Sequence, residues 1–93
     1  MRIYYSPESI EDLRRLREFI EIKNPTAAQK IAASISKGIK QLNSFPYLGV
    51  KVPKAPNPEV IRDLIIGNYI VCYLVNDEEI YVLRVWDHKE NRL

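Results

Sequence analysis

The sequence predicts an α+β fold in the order β-α-α-β-β-β, an antiparallel sheet with a helical hairpin packed on one face. Three observations carry this. Val60–Ile66, Tyr69–Val75 and Ile80–Trp86 are rich in β-branched and aromatic residues, and are separated by Gly67-Asn68 and by Asn76-Asp77-Glu78-Glu79. Two segments with apolar residues at helical spacing, each opened by a capping residue and a proline, come before them. No repeat, low-complexity tract or second composition interrupts residues 1–93, which read as one domain.

Ile3-Tyr4-Tyr5 is the first strand, ended by Ser6-Pro7-Glu8. In that tripeptide Ser6 caps, Pro7 suits the first helical position, and Glu8 and Glu11 favour the positive helix end. Ile10, Leu13, Leu16, Phe19 and Ile20 form the apolar stripe of a helix from about Pro7 to Ile22. Asn24-Pro25 repeats the start signal, and Ala27, Ala28, Ile31, Ala32, Ile35, Ile39 and Leu42 form a second stripe, whose alanines permit close helix approach. Lys30, Lys37 and Lys40 fall outside that stripe, as a solvated face or a basic docking surface. Phe45-Pro46-Tyr47-Leu48-Gly49 closes the second helix, and Pro53, Pro56 and Pro58 keep the following stretch extended.

Composition narrows the function classes. With 14 basic and 12 acidic residues the net charge is +2, too small by itself to identify a nucleic-acid partner. No apolar run approaches the roughly 20 residues of a membrane span, so a cytoplasmic protein with no membrane contact is expected. Cys72 lies inside an apolar strand run and reads as a small buried hydrophobe. One histidine and one cysteine cannot build a usual zinc site, and no glycine-rich phosphate loop is present, so neither metal nor cofactor is expected.

A two-residue turn at Gly67-Asn68 sets Ile66 opposite Tyr69, Leu64 opposite Val71 and Arg62 opposite Tyr73. A turn at Asp77-Glu78 sets Tyr73 opposite Val82, Val71 opposite Arg84 and Tyr69 opposite Trp86. Arg62, Leu64, Ile66, Tyr69, Val71, Tyr73, Val82, Arg84 and Trp86 then share one face. Ile61, Asp63, Ile65, Ile70, Cys72, Leu74, Tyr81, Leu83 and Val85 share the other. Both faces are largely apolar and the helices cover one of them, so the other calls for a partner chain, a second copy, or shielding by the proline-rich connection and the tail. Periodicity leaves open which face is covered.

Asn24-Pro25-Thr26-Ala27-Ala28, Leu42 to Gly49, Arg62 to Tyr73 and Ile80 to His88 resemble the RelE/ParE toxin superfamily, in its order and over essentially the whole chain. The resemblance implies the toxin of a type II toxin–antitoxin pair, bound by a cognate antitoxin. RelE-like members of that group cut messenger RNA on the ribosome, and ParE-like members poison DNA gyrase without nuclease residues. At sheet positions that are often basic in the nucleases this chain has Asp63, Ile65 and Ile70, which cannot neutralise a reacting phosphate. The resemblance therefore points to the ParE-like branch, with Arg62, Asp63, Ile65, Ile70, Cys72, Trp86 and Arg92 as antitoxin- or target-binding residues. In the nuclease alternative the catalytic residues are His88, Arg84 and Lys89, histidine being the residue type suited to proton transfer near neutral pH. A degenerate member kept as an interaction module is the third reading.

Overall fold

The computed structural model describes residues 1–88. A sheet of five strands is built from β1 (Arg2–Tyr5), β2 (Val50–Lys51), β3 (Ile61–Ile66), β4 (Tyr69–Asn76) and β5 (Glu79–Asp87), in the spatial order β1-β5-β4-β3-β2. Helices α1 (Pro7–Lys23) and α2 (Pro25–Lys40) form the hairpin on one face, and a 3-10 turn at Gln41–Asn43 ends it. The predicted order is the one observed, with two additions. β1 runs parallel to β5, so the sheet is mixed, and the proline-rich connection contributes the two-residue strand β2.

Both predicted caps form. The Ser6 hydroxyl accepts from the Ser9 N–H at 2.9 Å, and the Asn24 side chain accepts from the Ala27 N–H at 3.1 Å. Ser6 also donates to the Leu83 carbonyl at 2.7 Å, which ties the start of α1 to β5 where β1 ends. The turn after β3 needs a glycine, because Gly67 has φ +58°.

Leu16, Ile35, Ile39, Leu42, Leu64, Val71, Tyr73, Val75, Ile80, Val82 and Val85 form the core between helices and sheet. Each fully buried aliphatic side chain there contributes about 1.5–3 kcal/mol. Ile10 and Phe19 do not join it, being 57% and 64% exposed. In α1 the buried positions are instead Ser9, Asp12 and Leu16, because this helix lies along the edge of β5 that β1 leaves unpaired. An edge N–H there needs an acceptor rather than an apolar contact, and the Asp12 carboxylate accepts from the Val85 N–H at 2.9 Å.

The first hairpin has the predicted register throughout. The second follows it only as far as Tyr73 opposite Val82; an irregularity at Cys72/Tyr73 then shifts the pairing. Cys72 faces Arg84, Val71 faces Val85, Ile70 faces Trp86 and Tyr69 faces Asp87. The extra residue in β5 is a β-bulge, and it reverses the faces of everything after it. Val85 goes to the core, and Arg84 and Trp86 go to the face turned away from the helices, contrary to the uninterrupted register.

Candidate functional site

On the face turned away from the helices, two rows of side chains cross the three long strands. Asp63, Cys72 and Arg84 make one row, and Ile65, Ile70 and Trp86 the next. Within this group Asp63 and Cys72 are buried, whereas Ile65 is 57% exposed. The Arg84 guanidinium lies 5.5 Å from the centre of the Trp86 ring. The bulge is what gathers these six predicted residues.

Arg84 is fixed from α1. Its Nε donates to Asp12 Oδ2 at 2.7 Å and its Nη2 to Asp12 Oδ1 at 3.1 Å, a two-pronged arrangement on a carboxylate that is nearly fully buried. Arg15 approaches the same carboxylate at 3.5 Å. Burial pushes the Asp12 pKa up, but the Arg84 and Val85 hydrogen bonds and the charges of Arg84 and Arg15 outweigh it and leave it below the usual aspartate range.

Arg62 belongs elsewhere. Its guanidinium donates to the Glu59 and Gly49 carbonyls and stacks 5.0 Å from the Tyr47 ring, which clamps the loop between α2 and β3. From the core, Tyr73 holds the same loop. Its hydroxyl donates to the Pro46 carbonyl at 2.8 Å and accepts from the Gly49 N–H at 2.9 Å. His88 is exposed in the turn that ends β5, and its N–H donates to the Asn68 carbonyl at 2.6 Å. Lys89 and Arg92 lie outside the described residues.

Sequence reasoning missed a second feature, an apolar trough of about 350 Å³ between α1 and α2. Leu13, Ile20, Ala28, Ile31, Ala32 and Ile35 line it, and Tyr5, Arg14 and Arg17 also border it. Its signal was the alanine-rich stripe of α2: small side chains facing Leu13 and Ile20 leave a depression rather than a closed seam.

The sequence matches the family model of the ParE toxin of type II toxin–antitoxin systems over residues 3–92. The chain belongs to the ParE toxin family. Its fold is that of a chromosomal ParDE toxin–antitoxin structure from P. aeruginosa, to which it is similar with 21% identity and a TM-score of 0.77, over 94% of this chain and 95% of the other. A conserved hypothetical protein from Helicobacter pylori is similar in fold with 16% identity and a TM-score of 0.62, over 97% of each chain. No curated protein sequence matches the chain. No helix among the described residues is long and apolar enough to cross a membrane, and no group of acidic, histidine and cysteine side chains among them has the geometry to hold a metal.

Proposed function

We propose that this ParE-family chain is a growth-inhibiting toxin that acts by binding its target, with DNA gyrase the target implied by the resemblance, and that a cognate antitoxin neutralises it. The observation that carries the reading is the side-chain set on the open sheet face. Among the described residues, Asp63, Ile65, Ile70 and Cys72 share the two rows with one guanidinium, already engaged by Asp12, and an aromatic ring. In-line cleavage of RNA needs a base, an acid and several cations on the phosphate. An apolar floor with one oriented arginine and one tryptophan suits a protein surface, where those two residue types carry much of the binding energy. For the antitoxin we assign the trough between α1 and α2, whose shape and lining fit the apolar face of an amphipathic helix.

The nuclease reading keeps one supporting observation, that the bulge brings Arg84 to the open face of the strand that ends at His88. One paired experiment separates the two. Purified protein is assayed for gyrase-dependent DNA cleavage, and messenger RNA from induced cells is mapped by primer extension. Gyrase-dependent breaks without RNA cuts are expected. Codon-spaced RNA cuts that disappear in His88→Ala would reverse the assignment, and neither effect, with no growth inhibition, would leave an interaction module.

A further inference from the structure

The outer edge of β3 is half covered. A two-residue turn closes on a hydrogen-bonded pair, here Ile66 and Tyr69, and bonded and non-bonded pairs alternate from there. Leu64 and Arg62 therefore direct their backbone groups toward β4, and Ile61, Asp63 and Ile65 direct theirs away from it. β2 meets this edge with Val50 opposite Asp63 and Lys51 opposite Arg62, then stops. At Gly49 the chain has turned inward, held by the Tyr73 hydroxyl, with its α-carbon so close to the strand that an added Cβ would lie 2.8 Å from the Asp63 carbonyl oxygen. Ile65 thus presents an N–H and a C=O with no strand opposite.

Beside it is a cleft of about 300 Å³, whose wall includes Gln41, Leu48, Val50 and Ile65. Leu48, Val50 and Ile65 are 48%, 57% and 57% exposed, an apolar group large for a lone edge. Asp63 also lines the cleft but is buried, and Lys51 is paired with Glu59; three further lysines lie in the neighbouring segments. Lys40 precedes Gln41 in the wall, Lys37 lies in the same last turn of α2, and Lys54 borders the adjoining depression with Lys51. Among the described residues, Lys37, Lys40 and Lys54 make no ion pair. Two copies of this edge brought together would face lysine with lysine, which disfavours self-pairing.

We propose that this edge receives an extended segment of an acidic partner protein, added as a strand beside Ile65. Its main chain exchanges two hydrogen bonds with Ile65, one apolar side chain seats between Leu48, Val50 and Ile65, and flanking carboxylates meet Lys37, Lys40 and Lys54. This inference shares Ile65 with the open sheet face but does not depend on the target of the toxin, because it rests on the outward backbone groups of Ile65 and its test reads peptide binding rather than growth inhibition.

The test is a titration of the 15N-labelled chain with the peptide acetyl-Glu-Val-Glu-Val-Glu-amide at low salt. Shifts centred on Ile65, Leu48 and Val50 are expected, with Ile65 amide exchange slowed about tenfold at saturation. A peptide with lysine for glutamate is expected to bind about tenfold more weakly, a difference that shrinks in high salt. Ile65→Pro removes the outward N–H without touching the ladder to β4, and is expected to abolish binding. Val50→Glu, at an exposed position, is expected to weaken binding about tenfold by repulsion and serves if the proline variant fails to fold. No binding, shifts mapping to another surface, equal affinity for the basic peptide, or undiminished binding by folded variants would overturn the proposal. Concentration-dependent protection of Ile65 in the chain alone would overturn it in favour of a second copy.

Discussion

Asp12 and Arg84, separated by 72 positions in sequence, meet through two hydrogen bonds of 2.7 and 3.1 Å, and the same carboxylate closes the backbone of Val85. One buried acid therefore protects a sheet edge and aims a guanidinium on the open face. Removing it leaves the Val85 N–H buried without its acceptor and frees the arginine. Asp12→Ala is expected to lower unfolding free energy by roughly 2–3 kcal/mol, read from urea midpoints at constant m-value. Arg84→Ala is expected to lower it less, because the Arg84 side chain is 42% exposed and water replaces part of what it loses.

The same carboxylate sets an acid limit. Its pKa is lowered on folding from the ordinary 3.8, so its contribution to stability is fully present above that value. That contribution is lost as pH falls through the folded-state value. The stability gap between the wild type and Asp12→Asn is therefore expected to be widest near neutrality, to narrow below about pH 4 and to close in stronger acid. Urea titrations at several pH values measure this; a constant gap would mean that the charge of Asp12 contributes nothing.

Tyr73 governs the alkaline side. It is fully buried, and burial first of all raises its phenol pKa, against a smaller lowering by the Gly49 N–H and by the charge of Arg62. Because the folded-state value is the higher one, the hydroxyl's stabilisation is present below the unfolded value of 10.0 and is lost as pH rises through the folded one. Tyr73→Phe is expected to lower stability by about 1–3 kcal/mol at pH 7, since it orphans the Gly49 N–H and the Pro46 carbonyl. Hydrogen exchange should speed up at Gly49 before it does in α1.

Gly49 and Gly38 make a matched pair of packing tests. A Cβ on Gly49 would lie 2.8 Å from the Asp63 carbonyl oxygen and 2.9 Å from the Tyr73 ring, and neither backbone nor clamped ring can yield. On Gly38 it would meet only the Ile66 side chain, at Cδ1 and, 2.9 Å away, at Cγ1, a partly buried group that can turn aside where backbone cannot. Gly49→Ala is expected to destabilise by about 1–3 kcal/mol through overpacking. Gly38→Ala is expected to cost much less, because helix propensity returns up to about 1 kcal/mol. Thermal melts that rank the two in the opposite order would contradict this packing account.

Much of this was legible in the residues. Ser6-Pro7 and Asn24-Pro25 placed both helix starts, and Gly67-Asn68 set the β3–β4 register. The bulge was harder, because a register deduced from one turn propagates without interruption. Its trace is in the apolar spacing: Ile80 and Val82 are followed in the core by Val85, a step of three where alternation requires two. Missing that step put Arg84 and Trp86 on the wrong face. Ser9 and Asp12 escaped because a periodicity search looks for apolar stripes, whereas a helix lying along a strand edge buries acceptors. The trough escaped because close approach was inferred from alanines without asking what stands opposite them.

The trough yields the most direct test of how the chain is neutralised. If an amphipathic antitoxin helix lies between α1 and α2, a charge placed in the floor must oppose it without disturbing the sheet. Ala32 is the suitable position, half-buried in the trough wall, where glutamate keeps helix propensity. Ala32→Glu is expected to weaken antitoxin binding by about 100-fold, near 2.7 kcal/mol, and to leave growth inhibition by the chain alone unchanged. Lys30→Glu, on the exposed part of the same helix, is the charge control and should alter binding little. Co-expression growth assays and calorimetry read the two effects separately. Undiminished antitoxin binding by folded Ala32→Glu would remove the trough from the interface and leave the open sheet face as the antitoxin surface.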